Sequence, residues 1–142
     1  PEGNEQDLVV ALRKGNAFIP ELSLVAEHNG TVIGHILFTH GKVGTDDILV
    51  LAPLSVKSCY QKQGVGTALM RDGHKIAKRL GYQYSLVLGS ESYYPRTGYI
   101  PAEQFGIIVP VGVPTENFMA IKLQEDAKTI GGTVTYAKEF GI

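Results

Sequence analysis

Seven residues, Gln61-Lys62-Gln63-Gly64-Val65-Gly66-Thr67, connect a continuously apolar run over 48–56 to an amphipathic stretch over 64–80. The apolar run reads as a strand buried on both faces, and Pro53 inside it has no N–H to give a ladder, which predicts a bulge or a splayed strand. The amphipathic stretch reads as a helix. Val65, Ala68, Leu69, Ile76, Ala77 and Leu80 recur at helical spacing, Gly81 supplies the stop, and Gly73 weakens it slightly. The first four N–H groups of such a helix lack internal partners, and its dipole favours an anion there by about 0.3–2 kcal/mol. Each charge-assisted hydrogen bond adds about 1.5–3 kcal/mol. Gly64 and Gly66 let the backbone approach an anion with no Cβ in the way, while Lys62 and Thr67 offer a charge and a hydroxyl. The ligand this implies is a phosphate or pyrophosphate.

Two nucleotide loops fail on particular positions. A Walker loop needs Gly, four residues, then Gly-Lys-Ser/Thr, which occurs nowhere in the chain. The dinucleotide fingerprint needs a third small residue where Leu69 stands, and the acidic residue expected about 20 positions on is not convincing.

Around this unit the chain alternates short elements. Leu8, Val9 and Leu12 share one helical face over 5–12, away from Glu5, Asp7 and Arg13. Residues 22–27 and 31–40 read as strands joined through His28, Asn29 and Gly30, an Asn-Gly hairpin turn. Residues 84–88 form a short buried strand, and 91–97 accommodate only a helical turn or two, because Pro95 is compatible with a first turn alone. Residues 105–113 and 118–123 are expected to be strands and 133–136 a final edge strand. The order helix, three strands, helix, strand, short helix, strands predicts an α/β or α+β fold on a mixed sheet, with helices on both faces. With 142 residues, 44% of them apolar, one core and a single domain over 1–142 are expected.

Charge and composition remove several classes. Thirteen basic against 14 acidic residues leave a net charge of -1, so no general field collects nucleic acid or an anionic membrane. The longest apolar stretch falls far short of the ~20 residues needed to cross a bilayer. Cys59 is the single cysteine, which excludes an internal disulfide and fits a reducing compartment, the cytoplasm by default. No His neighbours it in sequence, so a structural or incidental residue is expected, not a nucleophile. His28, His35, His40 and His74 show no paired metal spacing, and no metal site is expected. The chain opens Pro1-Glu2-Gly3-Asn4, without Met or a basic and apolar leader, so no secretion signal is expected and a missing native start is.

With the strand before it, the glycine loop resembles motif A of the GNAT superfamily, the Gcn5-related N-acetyltransferases, whose signature is Gln/Arg-x-x-Gly-x-Gly/Ala. Gln61, Gly64 and Gly66 match it position by position. The preceding residues 51–56 look like the family's splayed fourth strand. Tyr93-Tyr94-Pro95-Arg96-Thr97-Gly98-Tyr99 is similar to its aromatic-Tyr-x-x-x-Gly-aromatic signature. The resemblance runs from about Leu8 to Leu123, and it is strongest to a bacterial subgroup of predicted N-acetyltransferases. Ser58 stands where the family often has Pro, and Lys62 where Gly is common. The family's first strand and helix are not evident before Leu8, so the domain is expected to lack them.

The resemblance implies a mostly antiparallel mixed sheet splayed at the fourth family strand, and acetyl-CoA as acyl donor with no metal. The coenzyme's pyrophosphate would lie on Gln61, Lys62, Gln63, Gly64, Val65, Gly66 and Thr67, and its pantetheine arm along Leu54, Ser55 and Val56. A backbone N–H at Val56 would polarise the carbonyl, Tyr94 would be the general acid, and a primary amine would attack directly. An alkylamine of pKa ~10.4 is neutral in only about one part in 2,500 at pH 7, equivalent to ~4.6 kcal/mol, so a base or a desolvating pocket must help. Glu91 lies close to Tyr94 in sequence, Asp46 and Asp47 precede the fourth strand, and a base acting through water is equally compatible. Arg96 is within reach of the coenzyme's phosphates or of a surface salt bridge. The rival reading is a non-catalytic acyl-CoA binding or sensor module, and a third is transfer of a longer acyl chain or to a hydroxyl. Family members often pair, which makes a homodimer a further expectation.

Overall fold

A computed structural model describes residues 5–136, with side chains from Val9 onward. Residues 1–4 and 137–142 lie outside the described residues, as do the side chains of Glu5, Asp7 and Leu8 in the expected first helix. That helix is α1 (Glu5–Arg13), followed by β1 (Phe18–His28), β2 (Thr31–Val43) and β3 (Asp46–Val56). Next come α2 (Val65–Arg79), β4 (Tyr84–Leu88), the two-residue strands β5 (Ile100–Pro101) and β6 (Ile107–Ile108), then β7 (Phe118–Lys122) and β8 (Gly132–Thr135). The strands form one mixed sheet in the order β5-β7-β4-β3-β2-β8-β6, with β1 paired to β2. Only β3/β4 and β6/β8 are parallel, so the expectation of a mostly antiparallel mixed sheet holds.

Local chemistry sets the hairpin. Asn29 and Gly30 both take positive φ, 53° and 80°, and His28 pairs directly with Thr31, the geometry that matches strand twist in a two-residue turn. Bulge formation in β3 is equally local. Phe38 pairs with Leu51 and Ile36 with Leu54, so three steps on β3 oppose two on β2, and the extra residue falls in the stretch containing Pro53. Pairing of β3 with β4 is confined to Leu49 with Ser85 and Val50 with Leu86.

Alternation along the strands sorts the core onto two faces. Ile36, Phe38, Leu49, Leu51, Val87 and Met119 lie on the α2 face, against Leu69, Met70 and Ala77. Each such side chain contributes about 1.5–3 kcal/mol on full burial. Gly73 explains how closely α2 settles: a Cβ there would stand 2.4 Å from Phe38 Cε1, so the residue that weakens the helix is required by the packing beneath it. On the other face α1 covers Leu37 through Leu12, and the rest, including Ile48, Val50, Leu86 and Phe118, is covered by the irregular chain around Ala102, Ile107, Ile130 and Val134. Helices therefore occupy both faces, though loops and short strands close most of the second.

The expected strand over 105–113 does not form. Ala102–Phe105 is a 3-10 turn, Gly106 follows at φ 86°, and only Ile107–Ile108 pairs as strand. Pro110, Gly112 at φ 84° and Pro114 then interrupt the chain, and Val111 is fully exposed. Apolar content there reflects single anchors, not a ladder. Among the described residues no helix is long and apolar enough to cross a membrane, and no group of three or more His, Cys, Asp or Glu is placed to hold a metal ion.

Candidate functional site

β3 delivers Leu54, Ser55 and Val56 to the edge of the glycine loop, with the Ser55 side chain exposed. After Val56 the chain makes a 3-10 turn, Ser58–Tyr60, and the Gln61 side chain folds back so that its Nε2 donates to the Val56 carbonyl at 3.0 Å. Gln63 Nε2 donates to the Cys59 carbonyl at 3.2 Å. Gln61 thus ties the loop to its own strand, and Gln63 ties it to the 3-10 turn between them.

The two glycines serve different ends. Gly64 caps α2 at φ 86° with no atom within 4 Å of a Cβ position, so it is required for its left-handed backbone and leaves open space. Lys62 also takes a positive φ, 64°. Gly66 has ordinary backbone, but its Cβ position lies 2.8 Å from the Tyr93 hydroxyl and 3.7 Å from Leu54 Cδ2. Val65 packs onto the chain at Gly34 of β2, where its Cγ1 would stand 3.0 Å from an added Cβ. The start of α2 therefore has open space at Gly64 beside exposed Gln61, Lys62, Gln63 and Thr67, with Leu54 and Tyr93 next to Gly66.

Tyr94 opens a 3-10 turn, Tyr94–Thr97, closed by Gly98 at φ 100°. Its ring fills the space a Cβ on Gly89 would take, 2.5 Å from Cε2. It meets Tyr93 edge-on at 5.1 Å and Tyr99 at 5.8 Å between ring centres. A continuous set of contacts therefore runs from Leu54 and Gly66 through Tyr93 to Tyr94. The Tyr93 hydroxyl packs against the helix start.

The candidate bases separate. Glu91 sits in the loop between β4 and Tyr94, where its carboxylate accepts from Asn117 Nδ2 at 3.1 Å. Asp46 and Asp47 lie at the opposite end of β3, about 30 Å from Val56 at ~3.3 Å per strand residue. There they pair with Lys128 at 2.7 Å and Lys42 at 2.6 Å, and the Lys42 hydrogen bond holds the Asp47 carboxyl below its usual pKa. The structure does not bring them to the site.

Behind Tyr94 lies a buried polar group that local sequence spacing did not reveal. The fully buried Tyr99 hydroxyl is 2.9 Å from both Ser85 Oγ and His74 Nε2, joining β4 to α2. Burial pushes the Tyr99 hydroxyl up in pKa, against the Ser85 hydrogen bond, and drives His74 down to about 4. His74 also lines a groove of about 420 Å³ beside α2. Its basic wall was readable in part, since Arg71, Lys75 and Lys78 recur at helical spacing from Thr67.

Comparison with known proteins places this arrangement. The sequence model of the acetyltransferase (GNAT) family matches residues 4–99. The chain is 37% identical over 141 residues to the uncharacterized N-acetyltransferase YjhQ of Escherichia coli K12, covering 94% of this chain and 78% of that protein. A crystal structure of YhbS from Escherichia coli in complex with CoA superposes with a TM-score of 0.89 at 29% identity, covering 97% of this chain and 78% of that one. A GNAT acetyltransferase from Brucella melitensis in complex with acetyl-CoA gives 0.78 at 30% identity, with 99% and 80% covered.

Proposed function

This chain belongs to the acetyltransferase (GNAT) family, and we infer that it moves an acetyl group from acetyl-CoA to a primary amine of its acceptor, in the cytoplasm, by direct attack. The observation that supports this reading is the contact path from Leu54 and Gly66 through Tyr93 to Tyr94, which puts the start of α2 close to a phenol. The backbone amides of Gln61, Lys62, Gln63, Gly64, Val65, Gly66 and Thr67, with the Lys62 ammonium and the Thr67 hydroxyl, take the pyrophosphate. Leu54, Ser55 and Val56 take the pantetheine arm, and the exposed Ser55 side chain is consistent with a ligand passing along that edge.

In the reaction the amine nitrogen attacks the thioester carbon, with the carbonyl oxygen held by a backbone N–H at Val56. The C–S bond then breaks, the thiolate takes its proton from Tyr94, and the amine gives its own to a base, through water or at Glu91. A tyrosine of pKa ~10 is protonated at pH 7 and delivers to a thiolate of pKa ~8.5 only against an unfavourable gradient, which positioning has to offset. The Tyr93, Tyr99 and Gly89 contacts around the Tyr94 ring supply that positioning. No step uses Cys59, which is exposed.

The test is calorimetry with acetyl-CoA followed by a thiol-release screen over a panel of primary amines. Binding with turnover on at least one amine is expected. Binding with no turnover on any acceptor would overturn the catalytic reading and leave a coenzyme sensor.

A further inference from the structure

Strand pairing sets a row of side chains on the face of the sheet turned away from α2. Val25 of β1 pairs with His35 of β2, and His35 pairs with Ser55 of β3, so the three share one face. Leu54, one residue before Ser55, points the other way, towards Gly66 at the start of α2. Leu12 of α1 covers Leu37 on the first face, whereas Val25 and Ser55 are exposed there and His35 is half-buried. His35 is held from one side: its Nε2 lies 3.4 Å from Ser23 Oγ, which accepts a hydrogen bond from Arg13 Nη2 at 2.9 Å. Its Nδ1 has no hydrogen-bond partner among the described residues. Burial holds the imidazole below its ordinary pKa of 6.5, and Arg13, at the end of α1, is the one charge that adds to this among the described residues. The ring is therefore neutral at pH 7 and ready to accept a proton.

We propose that His35 is the general base of the acetyl transfer, receiving the proton of the attacking amine at Nδ1 through one water beside the Ser55 hydroxyl. The assignment rests on the acetyl-transfer reading above, in which the acyl arm runs along Ser55. It separates the two proton transfers by face. Tyr94 packs with the cluster on the α2 side of the sheet, while the amine arrives over Val25 and Ser55 on the opposite side. As the amine nitrogen bonds to the thioester carbon, it becomes far more acidic than a free alkylammonium of pKa ~10.4, and its proton passes through the water to the neutral imidazole. The C–S bond then breaks and the thiolate takes the Tyr94 proton. The imidazolium returns its proton to solvent and the Tyr94 phenolate regains one, which resets both groups.

The test uses the full chain, acetyl-CoA and whichever primary amine of the panel turns over fastest. His35→Gln is expected to lower kcat about a hundredfold, while KM for the amine and calorimetric affinity for acetyl-CoA stay within about twofold. In the wild type kcat falls on the acid side with a midpoint below pH 6.5, and that limb disappears in His35→Gln. Arg13→Gln removes a positive charge beside the ring, so the limb moves to higher pH. Imidazole added to the buffer restores part of the turnover lost in His35→Ala. His40→Gln, further along the same strand, keeps the wild-type rate and profile. A wild-type rate in His35→Gln, or an acid limb that Glu91→Gln removes instead, would overturn His35 as the base while leaving acetyl transfer intact. A loss of rate with the limb in place and no imidazole rescue would give His35 a structural role and overturn the base equally. Turnover on no amine by the wild type would overturn both readings.

Discussion

The Tyr93 hydroxyl stands 2.8 Å from where a Cβ on Gly66 would be, closer than real Cβ atoms tolerate, so the second glycine of the loop is fixed by a tyrosine 27 residues later. Gly66→Ala gains at most about 1 kcal/mol of helix propensity. Against this stands a steric cost of about 1–3 kcal/mol. The substitution is expected to destabilise the wild type by about 1 kcal/mol and to become neutral or stabilising in a Tyr93→Phe background, where only ordinary contacts remain. Urea unfolding of the four proteins in this cycle measures it, and additive effects would remove the contact as the cause.

Gly64 presents the opposite case, open space and a left-handed backbone. Gly64→Ala is expected to cost about 1–2 kcal/mol of stability while leaving room for an anion. Gly64→Glu adds a carboxylate beside the amides and is expected to weaken coenzyme binding by well over tenfold by calorimetry. Wild-type affinity in the Glu variant would sink the pyrophosphate assignment.

Replacing Tyr94 with Phe keeps the ring that packs on Gly89 and removes the proton donor. Thiol release is expected to fall by about a hundredfold, the lower range for a general acid, with coenzyme affinity unchanged. The high-pH limb of the rate profile should flatten. An unchanged profile takes Tyr94 out of the acid role.

His74 links stability to acidity. Burial sets its folded pKa at about 4, below the ordinary 6.5, so the unfolded chain binds the extra proton first. The associated stability is complete above pH 6.5 and is lost progressively as the pH falls towards 4, by up to ~3 kcal/mol. Urea midpoints across that window should fall less steeply for His74→Gln than for the wild type. Parallel curves would assign the acid limb to other groups.

The parts of the fold written in neighbouring residues were legible beforehand. Asn29-Gly30 sets its own turn, the spacing of Leu69, Ala77 and their neighbours sets α2, and Pro53 sets a bulge. Residues 105–113 misled because Ile107, Ile108, Val109 and Val111 look like a strand, whereas Gly106, Pro110 and Gly112 prevent a ladder. Asp46 and Asp47 were plausible bases only while β3 was a line of text; as an extended strand it carries them to the far end of the sheet. The Ser85-Tyr99-His74 group spans separations of 14 and 25 residues, and no local periodicity records it. Arg71, Lys75 and Lys78 share a helical row that their spacing encodes, but Arg96 and Lys122 join them only through the fold.

The sheet has a seam. β3 and β4 meet at two rungs, Leu49 with Ser85 and Val50 with Leu86, and beyond them β3 stays paired to β2 while β4 stays paired to β7. Two rungs stitch the halves only weakly. α2 rests on the half made of β1, β2 and β3, and reaches the other half through the Tyr99 hydroxyl, shared between His74 and Ser85, and through the Gln124 amide, which donates to the Lys78 carbonyl. The helix is therefore bolted to one side of the seam and tethered to the other by polar links. Loosening it at Gly73, where there is no room for even a methyl group over Phe38, would slacken those tethers as well.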